Sequence, residues 1–498
     1  MLKRVFLAGV LLIAALIAVV AFNTWRQGSR QLEVPPAAPL AIDTDAAARN
    51  LAAAIRFKTI SSAEDASLNA DQFTGLHAHL KVSYPRAHAA LKREVVGDLT
   101  LLYTWPGTDP AAPPVLLLAH QDVVPIAPGT QAQWSADPFG GEIKDGFVWG
   151  RGAWDNKANL ISQLEAVEML LAEGFKPRQT IYIAMGADEE VGGLRGAKKV
   201  AELLASRGIQ LEFVLDEGLL ITEGILKGLS KPVALIGIAE KGYLSVEMHA
   251  HGTPGHSSMP PPAGTGAIGA LSAAITRLED KQMPAHIRGV AQEMFDTIAP
   301  EMDGFGRVAL SNLWLFGPLV QRQLEGAAST NAMLRTTTAP TIVQAGNKDN
   351  VIPGEARATV NFRLLPGDTR DSVMQHVRDT AGAPPDGRFD VKALDGGSEP
   401  SPISPTGSNS YQLLNRTLRS LFSDTLVAPG LMIAATDSRH FTGVSQHIYR
   451  FSPVRAKSED LSRFHGTNER VSIANLGELI HFYVQLMRNA SAQNRTNS

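Results

Sequence analysis

The chain has 498 residues, 46 Lys and Arg against 49 Asp and Glu, and a net charge of −3. That length exceeds one simple core and points to two domains, and the balanced charge, with no basic block, argues against a nucleic-acid partner. There is no cysteine, which excludes a thiol nucleophile, thiolate ligands and disulfides, so any metal must be held by His, Asp and Glu.

Lys3 and Arg4 precede an uncharged apolar run from Val5 to Phe22, close to the ~17–25 residues of a bilayer span. The positive flank sets the N-terminus in the cytoplasm. The run is long for a cleaved leader, and no small-x-small site precedes Trp25. A retained signal anchor is therefore expected over residues 1–30, with a cleaved signal peptide and secretion as the alternative. Either way the body lies on the extracytoplasmic side, periplasmic or lumenal. Residues 31–41, with their PPAAP run, read as an extended linker.

A helix is expected over Ile42–Phe57, capped by Thr44, and a second piece over Phe73–Leu80. His77, His79 and His88 there read as surface residues. Strands over Leu99–Trp105 and Pro114–Ala119 precede a helix over Asn159–Gly174, a strand over Thr180–Ala184, a helix over Gly196–Arg207 and a strand over Glu212–Leu215. This alternation implies a layered α/β unit over 42–238 with a mainly parallel sheet. Near Ala239 the pattern changes. Gly242–Ala250, Thr341–Gln344 and Ala356–Leu364 alternate as amphipathic strands, with helices over Gly266–Leu278 and Asp368–Thr380. His249 and His251 read as strand-surface residues. A smaller inserted α+β unit is expected over 239–395. The Pro/Ser/Gly-rich Gly396–Ser408 opens the return to the first unit over 396–490, with helices over Tyr411–Phe422 and Asn475–Met487 and a strand near Ile448. Residues 491–498 read as a disordered tail.

Candidate chemistry sits at the strand ends. Val115–His120 delivers His120 to a strand tip with Asp122 two residues on; a metal-bound imidazole needs such an acceptor to fix its tautomer. Asp155 follows a Gly-punctuated turn, Asp188-Glu189-Glu190 crowd the loop after Ala184, the LDEG run ends on Asp216, and His465 lies in SRFHGTNE. Open α/β sheets bind ligands at that edge. His120, Asp155, Glu190, Asp216 and His465 make five N/O ligands, enough for two ions if one carboxylate bridges them at ~3.5–4 Å separation. Such donors suit catalytic zinc, with manganese or cobalt as possible substitutes. A serine hydrolase is disfavoured because no G-x-S-x-G elbow is present.

The ordered segments AHQDVVP, GRGAWDNK, DEEVGG, LDEG and FHG resemble the zinc-dependent exopeptidase superfamily of aminoacylases, carboxypeptidase S and glutamate carboxypeptidase, from about Ala47 to Asn489. STNAMLRTTTAPTIVQAGNKDNVIP, ATVNFRLLPG, ATDSRHF and SRFHGTNE resemble its branch of carboxypeptidase S and the N-fatty-acyl-amino-acid synthase/hydrolases. The resemblance implies a ferredoxin-like inserted lid that serves dimerisation, and two zinc ions per subunit. Asp155 would bridge them, with His120 and Asp216 on one and Glu190 and His465 on the other. It also implies that Asp122 orients His120, that Glu189 is the general base, and that the Asp155–Asn156 peptide is cis. His256 would reach a partner subunit's site and hold the oxyanion. Arg363 would take the substrate's free carboxylate; Asn331 and Asn350 would line the cleft. Arg439 and His440 would either line the pocket or brace their turn. The expected function is cleavage of an amide beside a free C-terminal carboxylate, as a carboxypeptidase on short peptides. The alternative is an N-fatty-acyl-amino-acid hydrolase/synthase or aminoacylase; the apolar stretch Ala309–Leu324 would then wall an acyl chain, though such a stripe is more often core or subunit-contact surface. In another class stands a membrane-tethered binding protein without catalysis.

Overall fold

The computed structural model describes residues 1–382 and 389–492. Most of the expected tail, residues 493–498, lies outside them; residues 491 and 492 end the helix Ile473–Ala492.

The main sheet has eight strands in the order Lys92–Val96, Thr100–Trp105, Ile181–Gly186, Val115–His120, Phe213–Thr222, Ile448–Ala456, Val233–Glu240 and Leu426–Met432. Its centre is parallel: Val115–His120 runs with both Ile181–Gly186 and Phe213–Thr222, and Ile448–Ala456 runs with Phe213–Thr222. Val115–His120 and Ile181–Gly186 are buried at every position, as apolar strands covered on both faces must be. Thr44–Ile55, Lys157–Ala172, Asn409–Leu421 and Ile473–Ala492 pack on one face. Ala197–Ser206 and the turn at Phe441 pack on the other. The parallel strands therefore end together on one edge, where His120 and the loop after Gly186 emerge.

The chain leaves this sheet after Glu240 and builds a second, antiparallel one in the order Thr337–Ala345, Glu355–Leu364, Gly242–His251, Phe389–Ala393. Strict alternation along Gly242–His251 buries Leu244, Val246, Met248 and Ala250 against helices Ala267–Asp280 and Arg370–Ala381. The opposite face carries Tyr243, Asn361 and Arg363. Ser398, Ser401 and Ser404 then donate backbone N–H groups to Tyr243, Glu240 and Ile238 carbonyls, which stitches the return segment back along the strand it left.

Several local expectations are corrected. The first soluble helix is capped by Asp43, whose Oδ1 accepts from Ala46 N at 2.8 Å, not by Thr44. His77 is buried and its Nε2 meets Gln121 Oε1 at 2.7 Å. His79 meets the Asn50 carbonyl, and His88 meets the Tyr84 carbonyl and the Tyr103 hydroxyl, so these imidazoles pin the helical layer instead of facing water. His249 and His251 do stay on the non-core face of their strand, as expected, and pair there with Glu355 and Asp390 on neighbouring strands at 3.0 and 3.1 Å. The stretch 290–334 is a cluster of short helices: Val290–Ile298, Gly304–Ser311, Leu313–Glu325 and Ala328–Leu334. Leu2–Arg26 is one continuous apolar helix with no buried residue.

Candidate metal centre and active site

Two loops far apart in sequence meet because of a small three-stranded sheet. Arg470–Ser472 pairs with Phe147–Trp149, which pairs with Glu142–Lys144, and Gly150 N donates to the Glu469 carbonyl. The same pairing brings the segments of Asp155 and His465 together. A buried clamp locks them. Arg151 Nη1 meets Glu469 Oε2 at 2.6 Å, and Arg151 Nη2 donates to the His465 and Gly466 carbonyls. Glu469 Oε1 accepts from Trp154 N and Asp155 N at 2.8 and 3.0 Å. His465 adopts a left-handed backbone, φ 56°, a conformation a non-glycine residue holds only where its surroundings impose it.

The centre forms around Asp155. Its Oδ1 lies 2.9 Å from His120 Nε2 and its Oδ2 lies 2.8 Å from His465 Nε2. Glu190 Oε2 lies 3.3 Å from His465 Nε2 and Glu217 Oε1 lies 3.4 Å from His120 Nε2. Donor atoms of His120, Asp155 and Glu190 fall within 4.8 Å of one another, as do those of His120, Glu189 and Glu217. Asp122 is fully buried beneath. It faces His120 Nδ1 at 3.3 Å and accepts from Glu189 N and Glu190 N at 3.2 and 3.0 Å, so one carboxylate sets both the imidazole and the acidic turn. The Asp155–Asn156 peptide is cis.

The electrostatics call for cations. Burial, then repulsion from Asp155, pushes both Glu190 and Glu217 up to about 7. Burial lifts Asp216 to about 6 and holds Glu189 well above the usual carboxylate range. Despite the same burial, contacts from His120 and His465 pull Asp155 down. Asp155 first and Glu190 next lift His465 to about 10. Buried carboxylates this close cannot all ionise without positive charge among them. Glu190 Oε1 is buried with no hydrogen-bond partner among the described residues. A donor set of imidazole and carboxylate with an unused buried oxygen fits hard or borderline divalent ions.

The expected ligands are not all placed alike. His120, Asp155, Glu190 and His465 converge. Asp216 turns away: its Oδ1 accepts from Glu217 N at 2.9 Å and its Oδ2 from Ser438 N at 2.8 Å. Adjacent residues of a strand project oppositely, so the carboxylate presented to His120 is that of Glu217, held by Asn156 Nδ2 at 2.8 Å. LDEG offers both acids, and only the direction of the strand separates them. His440 Nε2 and Arg439 Nη2 both meet the Gly192 carbonyl, at 3.0 and 2.7 Å, so His440 braces the back of the acidic turn. His256 is exposed on a two-residue strand paired with Val351–Ile352, and its imidazole meets Ser258; no contact joins it to the centre of its own chain among the described residues. Asn331 lies on Ala328–Leu334 with its Oδ1 buried and unpartnered among the described residues. Asn350 accepts from Ser257 N through its carbonyl.

Arg363 stacks over Tyr243 at 4.9 Å, directly across the strand pair. No carboxylate forms an ion pair with it among the described residues. Burial, and repulsion from Arg439, lower its proton affinity. Lys241 sits nearby, buried and donating to the Ala332 and Arg335 carbonyls; burial first and Arg363 next bring it down to about 7. Buried acids thus gather at the edge of the main sheet, and Lys241 and Arg363 form a cationic pair at the start of the inserted sheet.

Comparison with known proteins agrees with this geometry. The model of peptidase family M20/M25/M40 matches residues 116–489. The N-fatty-acyl-amino acid synthase/hydrolase PM20D1 of Xenopus tropicalis is 42% identical over 448 residues, covering 89% of this chain and 86% of that protein. Probable carboxypeptidase S-like 2 of Dictyostelium discoideum is 39% identical over 488 residues, covering 96% and 92%. Among solved structures, the M20 family metallo-carboxypeptidase Sso-CP2 from Sulfolobus solfataricus superposes with a TM-score of 0.65 at 16% identity, over 91% of this chain and all of that one (100%). Human carnosine dipeptidase 1 gives 0.63 at 16% over 90% and 96%; at such identity these two speak to the fold.

Proposed function

The chain belongs to peptidase family M20/M25/M40, and from that premise we propose that it is an N-acyl amino acid amidohydrolase. It splits, or in reverse joins, a long-chain acyl amide whose amine carries a free carboxylate. Membership makes the chain a metal-dependent peptidase or amidohydrolase and removes the non-catalytic reading. The sequence alone ranked a short-peptide carboxypeptidase first. The order is reversed here because relatives named as N-fatty-acyl-amino acid synthase/hydrolases match at 39–42% identity over nearly their whole length. The observation that carries the reading is Arg363, a half-buried guanidinium with no carboxylate partner among the described residues, close enough to Arg439, which braces the acidic turn, to feel its charge. Its planar donor fork suits a carboxylate. The carboxypeptidase reading stays second, favoured by the carboxypeptidase S-like relatives.

Two zinc ions suit the centre, with manganese or cobalt as substitutes. Asp155 would bridge; His120 and Glu217 would hold one ion, Glu190 and His465 the other. When bound, such a pair lends Lewis acidity to the amide carbonyl and makes a nearby water more acidic. Glu189 takes the proton as water adds to the acyl carbon, then delivers it to the departing nitrogen as the C–N bond breaks. The products are a fatty acid and an amino acid. Arg363 holds the amino-acid carboxylate and so fixes which carbonyl meets Glu189. His256 of a second copy donates toward the developing oxyanion, which requires a homodimer. Leu2–Arg26 serves as a membrane anchor with the body on the extracytoplasmic side.

Purified full-length chain, assayed with oleoyl-phenylalanine and with Gly-Leu, with and without chelator, tests this. Chelator-sensitive turnover of the acyl amino acid well above the dipeptide is expected. The reverse preference supports the carboxypeptidase reading, and indifference to both by metal-loaded protein overturns the branch. Glu189→Gln is expected to retain metal and lose about 10²–10⁴-fold in kcat.

A further inference from the structure

Helices Gly304–Ser311 and Leu313–Glu325 form a hairpin that turns at Asn312. The second helix has no buried residue. Trp314, Leu315, Pro318 and Leu319 lie on one of its faces and are all exposed, with Arg322 next along it. Trp314 is 59% exposed and Leu319 54%; Phe305 of the first helix, 60% exposed, stacks edge-on against Phe316 of the second. A helix facing water carries polar side chains there, and a contiguous apolar face marks a contact surface.

A second observation says what covers it. Asn312 is fully buried against the helix Leu2–Arg26. Its Nδ2 shares two N–H groups among three acceptors, the Val20 carbonyl at 3.3 Å, Thr24 Oγ1 at 3.0 Å and the Val308 carbonyl at 2.9 Å. Its Oδ1 accepts from Asn23 Nδ2 at 3.1 Å and Trp314 Nε1 at 3.2 Å. Arg307 Nη2 donates to the Gln27 carbonyl at 3.4 Å. The hairpin is thus bolted to the last two turns of a helix whose apolar surface is otherwise bare. Val20 lies two residues inside Phe22, the outer end of the apolar run, about 3 Å along the axis at ~1.5 Å per residue, while Asn23, Thr24 and Gln27 lie just beyond it. A hairpin clamped at that level sits at the outer edge of the span. Interfacial helices occupy that boundary, with their apolar face ~5–10 Å into the headgroup and acyl region. Tryptophan favours that boundary, and an arginine at the edge of the face reaches phosphates. A fully satisfied asparagine between helices is a contact suited to surroundings without competing water.

We propose that the hairpin 304–325 is a membrane-seated foot. It lies in the outer leaflet beside the anchor and holds the catalytic body on the bilayer surface, where amphiphilic acyl substrates partition. Lipid is the occupant because the hairpin that carries the face is fixed to the outer end of the anchor by Asn312, and Trp314 of the face bonds the same asparagine. The inference rests on the reading of Leu2–Arg26 as a retained span.

The cysteine-free chain permits single nitroxide labels on the full-length protein in phosphatidylcholine/phosphatidylglycerol vesicles. Labels go on Leu315→Cys and Leu319→Cys, on Leu12→Cys in the anchor, and on Val82→Cys, which is 80% exposed, as the aqueous reference. Each variant is checked for retained amidase turnover. Collision with oxygen relative to a nickel chelate is expected to be several-fold higher at 315 and 319 than at 82, approaching that at 12. The foot is overturned if Leu12→Cys reads as lipid while 315 and 319 read as water, or are shielded from both reagents as a second copy would shield them. If Leu12→Cys itself reads as water, the anchor fails and the foot with it.

Discussion

Arg151 and Glu469 offer the sharpest test of how the centre is assembled. Both are buried, with side-chain exposures of 2% and 0%. The arginine grips the His465 loop through two carbonyls, and the glutamate grips the Asp155 turn through two backbone N–H groups. Arg151→Met strands a buried carboxylate, and breaking one partner of such a pair costs about 3–5 kcal/mol. It also frees the His465 loop, whose left-handed backbone has no intrinsic preference for that shape. Support of this kind is worth about 10–100-fold in metal affinity. Adding Glu469→Gln to Arg151→Met removes the stranded charge, so much of the stability should return while metal affinity does not, because the hold on the His465 carbonyl is still missing. Urea-unfolding midpoints and metal titration by equilibrium dialysis read the two effects separately. A loss below about 1 kcal/mol with unchanged metal affinity would refute the clamp.

Three further outcomes follow from the same geometry. Glu217→Gln is expected to lower bound metal by dialysis while Asp216→Asn loosens the Ser438 turn and keeps more of it; the opposite ranking returns the ligand role to Asp216. Arg363→Met should raise KM for an acyl amino acid by about 10–100-fold, the weight of a ~1.5–3 kcal/mol charged contact, and should barely affect the same substrate amidated at its carboxylate. His440 is held down to about 4 by burial and then by Arg439, below the ~6.5 of an unfolded chain. The unfolded state therefore binds the extra proton between these values, and stability rises with pH across that window. His440→Gln should flatten this part of the profile of urea midpoint against pH; an unchanged slope assigns it to other groups.

What could be read from the sequence followed what was local. Val115–His120 and Ile181–Gly186 are short apolar runs, and a buried strand must end where polar residues begin, which placed His120 and the Asp188–Glu190 turn at one edge. His465 was within reach only through the pairing of Arg470–Ser472 with Phe147–Trp149, two three-residue strands too short for any periodicity. The Arg151–Glu469 clamp escaped notice for the same reason, although both residues sit inside motifs that were singled out. Ala309–Leu324 reads from sequence as core or subunit-contact surface, or as a wall for an acyl chain, but its apolar face turns outward and Asn312 divides it into two helices. A reading in which apolar means buried fails where the solvent need not be water.

Asp216 was expected to touch metal, and His440 either to line the pocket or to brace its turn; the placement of both bears on how the centre is held from behind. Asp216 ties down Ser438 N. Ser438 begins the turn whose Arg439 and His440 grip the Gly192 carbonyl, behind Glu189 and Glu190. Thr436 of the same turn bonds Glu240, which also takes Arg450 at 2.9 Å in full burial. Glu240 is the last residue of the main sheet before Lys241 and Tyr243 lead into the strand that positions Arg363. One continuous polar network thus runs from the back of the acidic turn to the root of the inserted sheet. On the proposed assignment, a substrate carboxylate drawn to Arg363 would pull on the same frame that aims Glu189, tying recognition of the free acid to the alignment of the base. His120, Asp155, Glu190 and His465 could be found by type and spacing, whereas Glu217 could not be told from Asp216 that way; the groups that brace them act through backbone carbonyls and amides, which every sequence has alike.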